Sequence, residues 1–258
     1  AKLDFSSFPQ YTVSVSIHIC LLLEMNYILF LKAFKAKYNS ITGKQMLFQY
    51  LREELQYLVL HALYSKMNYP IYFMGGTKLR LSYGLNRFSE DINMALDKPD
   101  KDFPAEKFHS DIAKAFSAKV TGFQLQSNLS AKRNGVKIML SFARILFDIG
   151  FTPLKDQTIK IKIEIDTNPP AKATCEKKTY RSMAGDYIVN THDLSTGFAG
   201  KLSALLFREY QKGSDYYDLQ WYLQQKPSIP INFEYLNANT IQQGKEKFKN
   251  EKEVFEAV

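Results

Sequence analysis

Cysteine is almost absent from this 258-residue sequence. Cys20 and Cys175 stand far apart, outside any CxxC or Cys/His spacing. That leaves no disulfide framework and no structural zinc site, and it points to a reduced, cytoplasmic setting. Histidine is scarce too. His18, His61, His109 and His192 form no HxxxH or HxH pair, so a histidine-built metal centre has no basis. No apolar run suits a bilayer. The best stretch, Ile17 to Phe34, is interrupted by His18, Glu24, Asn26 and Lys32 and has no basic segment ahead of it. It reads as a buried helix or strand, not as a membrane span or a signal peptide. Internal repeats and low-complexity tracts are missing as well. With 45% hydrophobic and 23% charged residues, the composition argues against global disorder.

What the sequence has in excess is positive charge. The net charge is +8 and the pI about 9.2. A basic surplus favours polyanionic partners, either nucleic acid or nucleotide phosphates. The length suits one large domain or two modest ones.

Residues 45 to 68 read as a helix, because Leu47, Leu51, Leu55, Leu58 and Ala62 recur at three- and four-residue spacing before Asn68 and Pro70. Ile71 to Met74 is a short apolar strand that runs into Gly75-Gly76, and Lys78 to Tyr83 is a short helix ended by Gly84. Phe88 to Leu96 is a second strand, with Ile92 on one face and Asp91 and Asn93 on the other. Ala105 to Ala118 is helical, and Val136 to Phe142 and Ile159 to Ile165 are strands. From Asp193 onward the pattern is helical. One helix carries Leu202, Leu205 and Leu206 to about Lys212-Gly213. The next is capped by Ser214 and stopped at Lys226-Pro227, and residues 234 to 257 form another. Tyr216, Tyr217 and Trp221 read as core rather than as a stacking platform.

The stretch Gly75 to Asn93 carries the chemistry. A Gly-Gly turn between strand and helix lets backbone approach a ligand with no Cβ in the way, and the helix behind it offers unpaired N–H groups suited to phosphate. Asp91 and Asn93, two apart on a strand, project oxygen side chains from one face, as a Mg²⁺ or Mn²⁺ site requires. A third acid on a neighbouring strand would complete a centre for nucleotidyl transfer. Ile-Lys-Ile-Glu-Ile-Asp, residues 161 to 166, offers Glu164 and Asp166 on one face. A solvated strand face explains Glu164 as well when it is taken alone.

Gly-Gly-Thr, Arg-Phe-Ser-Glu-Asp-Ile-Asn, Ile-Lys-Ile-Glu-Ile-Asp and the long block from Phe198 to Leu219 stand in one order along the chain. Together they resemble the AbiEii/AbiGii toxin family, nucleotidyltransferase-like proteins of bacterial toxin–antitoxin and phage-defence systems within the polymerase-β-like superfamily. The likeness runs from about residue 50 to about residue 236. It implies an α+β fold: a mixed-sheet nucleotidyltransferase domain over 45–190 and a C-terminal helical bundle over 191–258. Residues 1–44 are then an N-terminal extension able to pack on that bundle. By the same resemblance Gly75, Gly76, Thr77, Lys78, Ser89 and Arg208 bind the nucleotide. Asp91, Lys201 and Asp215 are catalytic, and Asp91, Asn93 and Glu164 hold the metal. The implied partners are an NTP, a tRNA acceptor and a cognate antitoxin protein, with no membrane.

The residue types agree in part. Lys201 and Arg208 share nearly one helical face and could grip a triphosphate or an RNA backbone, or equally lie along the surface as a snorkelling pair. Asp215 and Asp218 fall in a first helical turn, where they also complement the helix dipole.

Two positions depart from the family. Ser214 stands where Arg is frequent, and Asn93 stands where Asp is usual. Asn keeps a carbonyl oxygen for a metal but gives up a charge, which weakens divalent binding. Three accounts stay open: a weak transferase compensated by Asp166 or Glu90, a nucleotide-binding relative without catalysis, or an exchange introduced to disarm a toxic protein.

Overall fold

The computed structural model describes residues 25–132 and 134–258. His18, Cys20 and the first part of the expected segment from Ile17 to Phe34 lie outside the described residues. The chain runs through β1 (Met25–Asn26), α1 (Tyr27–Lys37), α2 (Lys44–Lys66), β2 (Ile71–Met74), α3 (Gly75–Tyr83), β3 (Asp91–Leu96), α4 (Ala105–Lys119), β4 (Val120–Thr121), β5 (Gln124–Lys132) and β6 (Gly135–Ala143). It continues through α5 (Ile145–Asp148), β7 (Ile159–Asp166), β8 (Cys175–Ser182), β9 (Gly185–His192), α6 (Leu194–Phe207), α7 (Gly213–Leu223), α8 (Phe233–Gln242) and α9 (Glu251–Ala257).

Strand chemistry sets the sheet. Among the described residues seven strands pair in the order β5-β6-β7-β3-β2-β9-β8. β3 lies parallel to β7, and β2 lies antiparallel to β3 and parallel to β9, so the sheet is mixed. Alternation then sorts the side chains. Ile92 and Met94 of β3 and Ile161, Ile163 and Ile165 of β7 are buried together. They pack with Leu51, Leu55 and Val59 of α2 and Phe108, Ile112 and Phe116 of α4. Asp91, Asn93, Lys162, Glu164 and Asp166 therefore face the other way. Hydrophobic burial of one face places the polar residues of β3 and β7 on the other, side by side.

A second apolar cluster holds the C-terminal helices. Phe198, Leu202 and Leu205 of α6 pack with Leu219 and Tyr222 of α7, Leu236 of α8 and Val254 of α9. Leu79 of α3 belongs to this cluster, so the helix behind the Gly-Gly turn is held between sheet and helices.

Several expectations change. Of the N-terminal extension, the described part packs on the sheet, with Phe30 and Phe34 of α1 buried in the sheet cluster. The helix expected over 78 to 83 begins at Gly75, and the strand expected from Phe88 begins at Asp91. α6 stops at Phe207, so Arg208 is its C-cap with extended backbone (ψ 133) and does not continue the helical face of Lys201. α7 is preceded by Lys212, not Ser214, and the segment 234 to 257 divides into α8 and α9. Tyr216 and Tyr217 are 44% and 41% exposed, on the outer face of α7 instead of in the core.

Two buried imidazoles carry a pH prediction. Burial pushes both His61 and His192 down to about 4. The unfolded chain takes up protons near the ordinary histidine value, so it binds more protons than the folded chain below that point. Stability is expected to fall as pH drops from about 6.5 towards 4, and these groups add nothing further below it. Urea midpoints across that range check it. A flat midpoint would mean that the imidazoles charge in place.

Candidate active site

The loop ahead of β3 is tied down before the first acid appears. The buried Gln56 amide of α2 donates to the Ser89 and Glu90 carbonyl oxygens, each at 2.9 Å. Thr77 Oγ1 is hydrogen-bonded to Ser89 Oγ at 2.8 Å and to the Asp91 carbonyl oxygen at 2.5 Å. Thr77 is fully buried. Its hydroxyl thus fixes the start of β3 against α3 and is not turned to the cleft.

The glycines ahead of Thr77 are required locally. Gly75 has φ +83°, in the left-handed region, and a Cβ there would lie 3.3 Å from Asn93 Cβ. A Cβ on Gly76 would come within 2.5 Å of Arg87 Nη2 and 3.2 Å of Ser89 Oγ. Close packing of the protein therefore accounts for Gly76 as fully as ligand approach does. The N-cap of α3, Met74, contributes no side-chain hydrogen bond, so the first N–H groups of the helix keep donors to offer.

Register brings the acids together. Asn93 lies opposite Glu164 across β3 and β7, and Asp91 lies opposite Lys162. Lys162 Nζ sits 2.8 Å from Asp91 Oδ2 and 3.2 Å from Glu164 Oε1. Lys137 of β6 approaches Glu164 at 3.1 Å. Burial alone would push Glu164 up, but hydrogen bonds from Lys137 and Lys162 outweigh it and hold the carboxyl below its ordinary value. Asp166 is different: burial pushes it up against one N–H from Asn168. It lies opposite Ala95, one step beyond Asn93, while Glu90 is engaged by Arg52 at 2.5 Å.

The wall facing the acids comes from the C-terminal helices. Asp218 of α7 is 0% exposed. It receives Arg87 through Nε at 2.8 Å and Nη2 at 2.6 Å, and Lys201 Nζ stands 2.7 Å away. Lys201 also reaches Asp215 at 2.9 Å, and Arg208 closes the chain on Asp215. Three cations share two carboxylates, which leaves one positive charge on this network, and Lys212 adds another at the cleft.

Between wall and sheet runs a cleft of about 330 Å³. Gly76, Ser89, Asp91, Asn93, Glu164 and Lys201 line it, with Arg208 and Asp215 at the same surface. Gly75 adjoins it through Asn93. Lys78 does not reach it. The residue is 1% exposed, its ammonium 3.8 Å from Glu176 and 5.0 Å from the Tyr83 ring centroid, and burial pushes it down to about 8. The sequence reading gave no role to Arg87, Lys162 or Gln56. Arg87 stands two residues before Ser89, but nothing local indicates that its partner is Asp218. Lys162 was legible only as the alternate residue before Glu164.

A triphosphate-sized cleft with helix N–H donors at one end, two converging carboxylates on the sheet and a cationic wall opposite has the layout of a nucleotidyltransferase. The comparison of sequences specifies it further. The chain belongs to the nucleotidyl transferase AbiEii toxin family of type IV toxin–antitoxin systems, whose family model matches residues 59–256. Among solved structures it is similar to a presumed nucleotidyltransferase from H. pylori, at 19% identity over 68% of each chain with a TM-score of 0.46. It is also similar to JHP933 from Helicobacter pylori, at 19% identity over 69% of this chain and 67% of that one, with a TM-score of 0.47. No curated protein matches it. Among the described residues no helix is long and apolar enough to cross a membrane.

Proposed function

We propose that the cleft transfers a nucleotide from an NTP to a hydroxyl group, with the 3′ end of a tRNA as acceptor. One observation carries this reading: Gly76, Asp91, Glu164 and Lys201, from distant parts of the chain, line a single cleft. The uncapped N–H groups of α3 take phosphate oxygens. Lys201 and Arg208 offset phosphate charge, and Asp215 holds both in position. Glu164, anionic well below neutral pH, serves as a ligand and is a poor proton acceptor. On this reading residues 45–190 form the transferase domain and 191–258 the helical domain that closes it. The protein works in the cytoplasm, under control of a cognate antitoxin protein.

Mg²⁺ or Mn²⁺ fits the donor set. The Lys162 ammonium already stands between Asp91 and Glu164, which shows that these carboxylates converge on one cation. Asp91, Glu164 and the Asn93 amide oxygen would hold the metal, which when bound would supply positive charge to offset that of the phosphates.

A silent nucleotide-binding protein is the second reading, and the same lysine favours it. Lys162 and Lys137 offset both carboxylates, and Asn93 adds no charge. Incubation with each labelled NTP, Mg²⁺ or Mn²⁺ and total tRNA separates the two. Label on RNA supports transfer to tRNA, and label on protein supports protein nucleotidylation. No label, even with Asn93→Asp, leaves the binding protein.

Asn93→Asp is itself a prediction. It returns a negative charge in register with Glu164, so divalent affinity is expected to rise about tenfold, with transfer and host toxicity rising alongside. Metal titration and growth curves of the two forms check it. Lower stability with unchanged metal affinity would mark a drifted site. For an RNA acceptor, affinity is expected to fall steeply between about 50 and 200 mM salt, since phosphate neutralisation releases counterions.

A further inference from the structure

Beyond Arg208, which lines both, a second cavity of about 530 Å³ adjoins the cleft. One wall is the face of α6 that carries Gly200, Ser203 and Ala204, one helical turn of small residues. The facing wall comes from α8 and its C-terminal end, with Tyr235, Asn239 and Gln243. Met74 and Asp166 close the sheet end, next to Asn93 and Glu164.

Two features of α6 lack an explanation from packing. Ser203 is 4% exposed, and its buried hydroxyl has no hydrogen-bond partner. Buried hydroxyls nearly always find one, commonly a carbonyl one turn back in their own helix. Gly200 is the second. A Cβ there meets nothing within 4 Å, so packing does not demand glycine. Glycine in a helix interior is less stable than alanine. Here it leaves the space beside the Ser203 hydroxyl open.

We infer that this cavity seats the nucleobase of the NTP and reads its edge, so that α6 and α8 set which nucleotide is used. The inference rests on the transferase reading above. A base is flat with apolar faces and a polar rim. The small residues of α6 provide a flat surface, and Ser203, Asn239 and Gln243 provide groups that both donate and accept. The size lies within the range of small-ligand sites. Among the described residues Arg208 is the one cation of the lining and Asp166 opposes it, which suits a base better than a second phosphate group. Sharing Arg208 with the cleft lets one nucleotide occupy both, phosphates in the first and base in the second.

Titration calorimetry of the full chain in Mg²⁺ tests this, with the four NTPs and inorganic tripolyphosphate as probes. At least one NTP is expected to bind about tenfold or more tighter than tripolyphosphate, since a site that hydrogen-bonds a base edge rejects what lacks it. Gly200→Leu, a better helix former that fills the cavity, is expected to bring that NTP to within about twofold of tripolyphosphate and leave tripolyphosphate itself unchanged. Should Gly200→Leu lose its thermal transition, Asn239→Ala carries the same readout with a smaller loss of discrimination. Preference surviving in the folded variant overturns the inference, as does a wild-type protein that binds every NTP no better than tripolyphosphate. In both cases the transferase reading stands. A wild-type protein that binds neither NTP nor tripolyphosphate overturns the phosphate cleft and the base site together.

Discussion

Asp91→Ala is expected to lower nucleotide transfer by about 10³-fold, the upper end of what losing one preorganised electrostatic group costs in an enclosed site. The fold should survive. Asp91 is half-buried and its partner is the half-buried Lys162, a pair of a kind that contributes about 0–1 kcal/mol. Removing the carboxylate also frees Lys162 to settle on Glu164 alone, 3.2 Å away at present. Divalent affinity should therefore drop with activity while the melting temperature hardly moves. Transfer assays, Mg²⁺ titration and a thermal melt on one preparation read all three. Unchanged transfer would remove Asp91 from the centre, and a collapsed melt would make it a structural residue.

Asp218→Ala should do the opposite and act chiefly on stability. The carboxylate is fully buried and holds both Arg87 and Lys201. Its loss leaves two cations against the cleft wall with Asp215 alone to balance Lys201 and Arg208. Breaking a buried pair from one side costs about 3–5 kcal/mol, because the remaining charge is left without compensation. For a chain of this size the melting temperature should fall by on the order of 10 °C. Arg87→Leu in the Asp218→Ala background should recover part of the loss, since it removes one of the stranded charges. A melt within about 1 °C of wild type for Asp218→Ala would mean that Arg87 and Lys201 find water or other partners without cost. Activity should fall as well in both variants, because Arg87 and Lys201 line the cleft.

Legibility in the sequence followed the range of the forces. Apolar periodicity is local, and it located α2, β2, α4, β6 and β7 to within a few residues. The hairpin of β8 and β9 and the strand β5 did not stand out. β5 and β8 lie at the sheet edges, and their inward positions include polar residues such as Ser127, Glu176 and Lys178, so no apolar alternation marks them. The exposure of Tyr216 and Tyr217 also ran against the pattern. Their rings lie on the outer face of α7, and Tyr217 donates its hydroxyl to the Asn86 carbonyl oxygen at 3.0 Å.

By itself the sequence determined the α+β plan, the Gly-Gly turn, the Asp91 and Asn93 pair two apart on a strand and the family to which these belong. Each is a matter of residue type and short spacing, which strand and helix geometry convert directly into direction. Only the tertiary structure decided what those groups meet. Parallel pairing of β3 with β7 set Asn93 against Glu164 and put Lys162 between Asp91 and Glu164. Packing of α6 and α7 turned Lys201, Arg208, Asp215 and Asp218 from candidate surface charges into one network with Arg87, built on the two buried carboxylates. Charges this far apart in the chain interact only after hydrophobic burial has brought their elements together and removed the water between them, so no local pattern could carry the information.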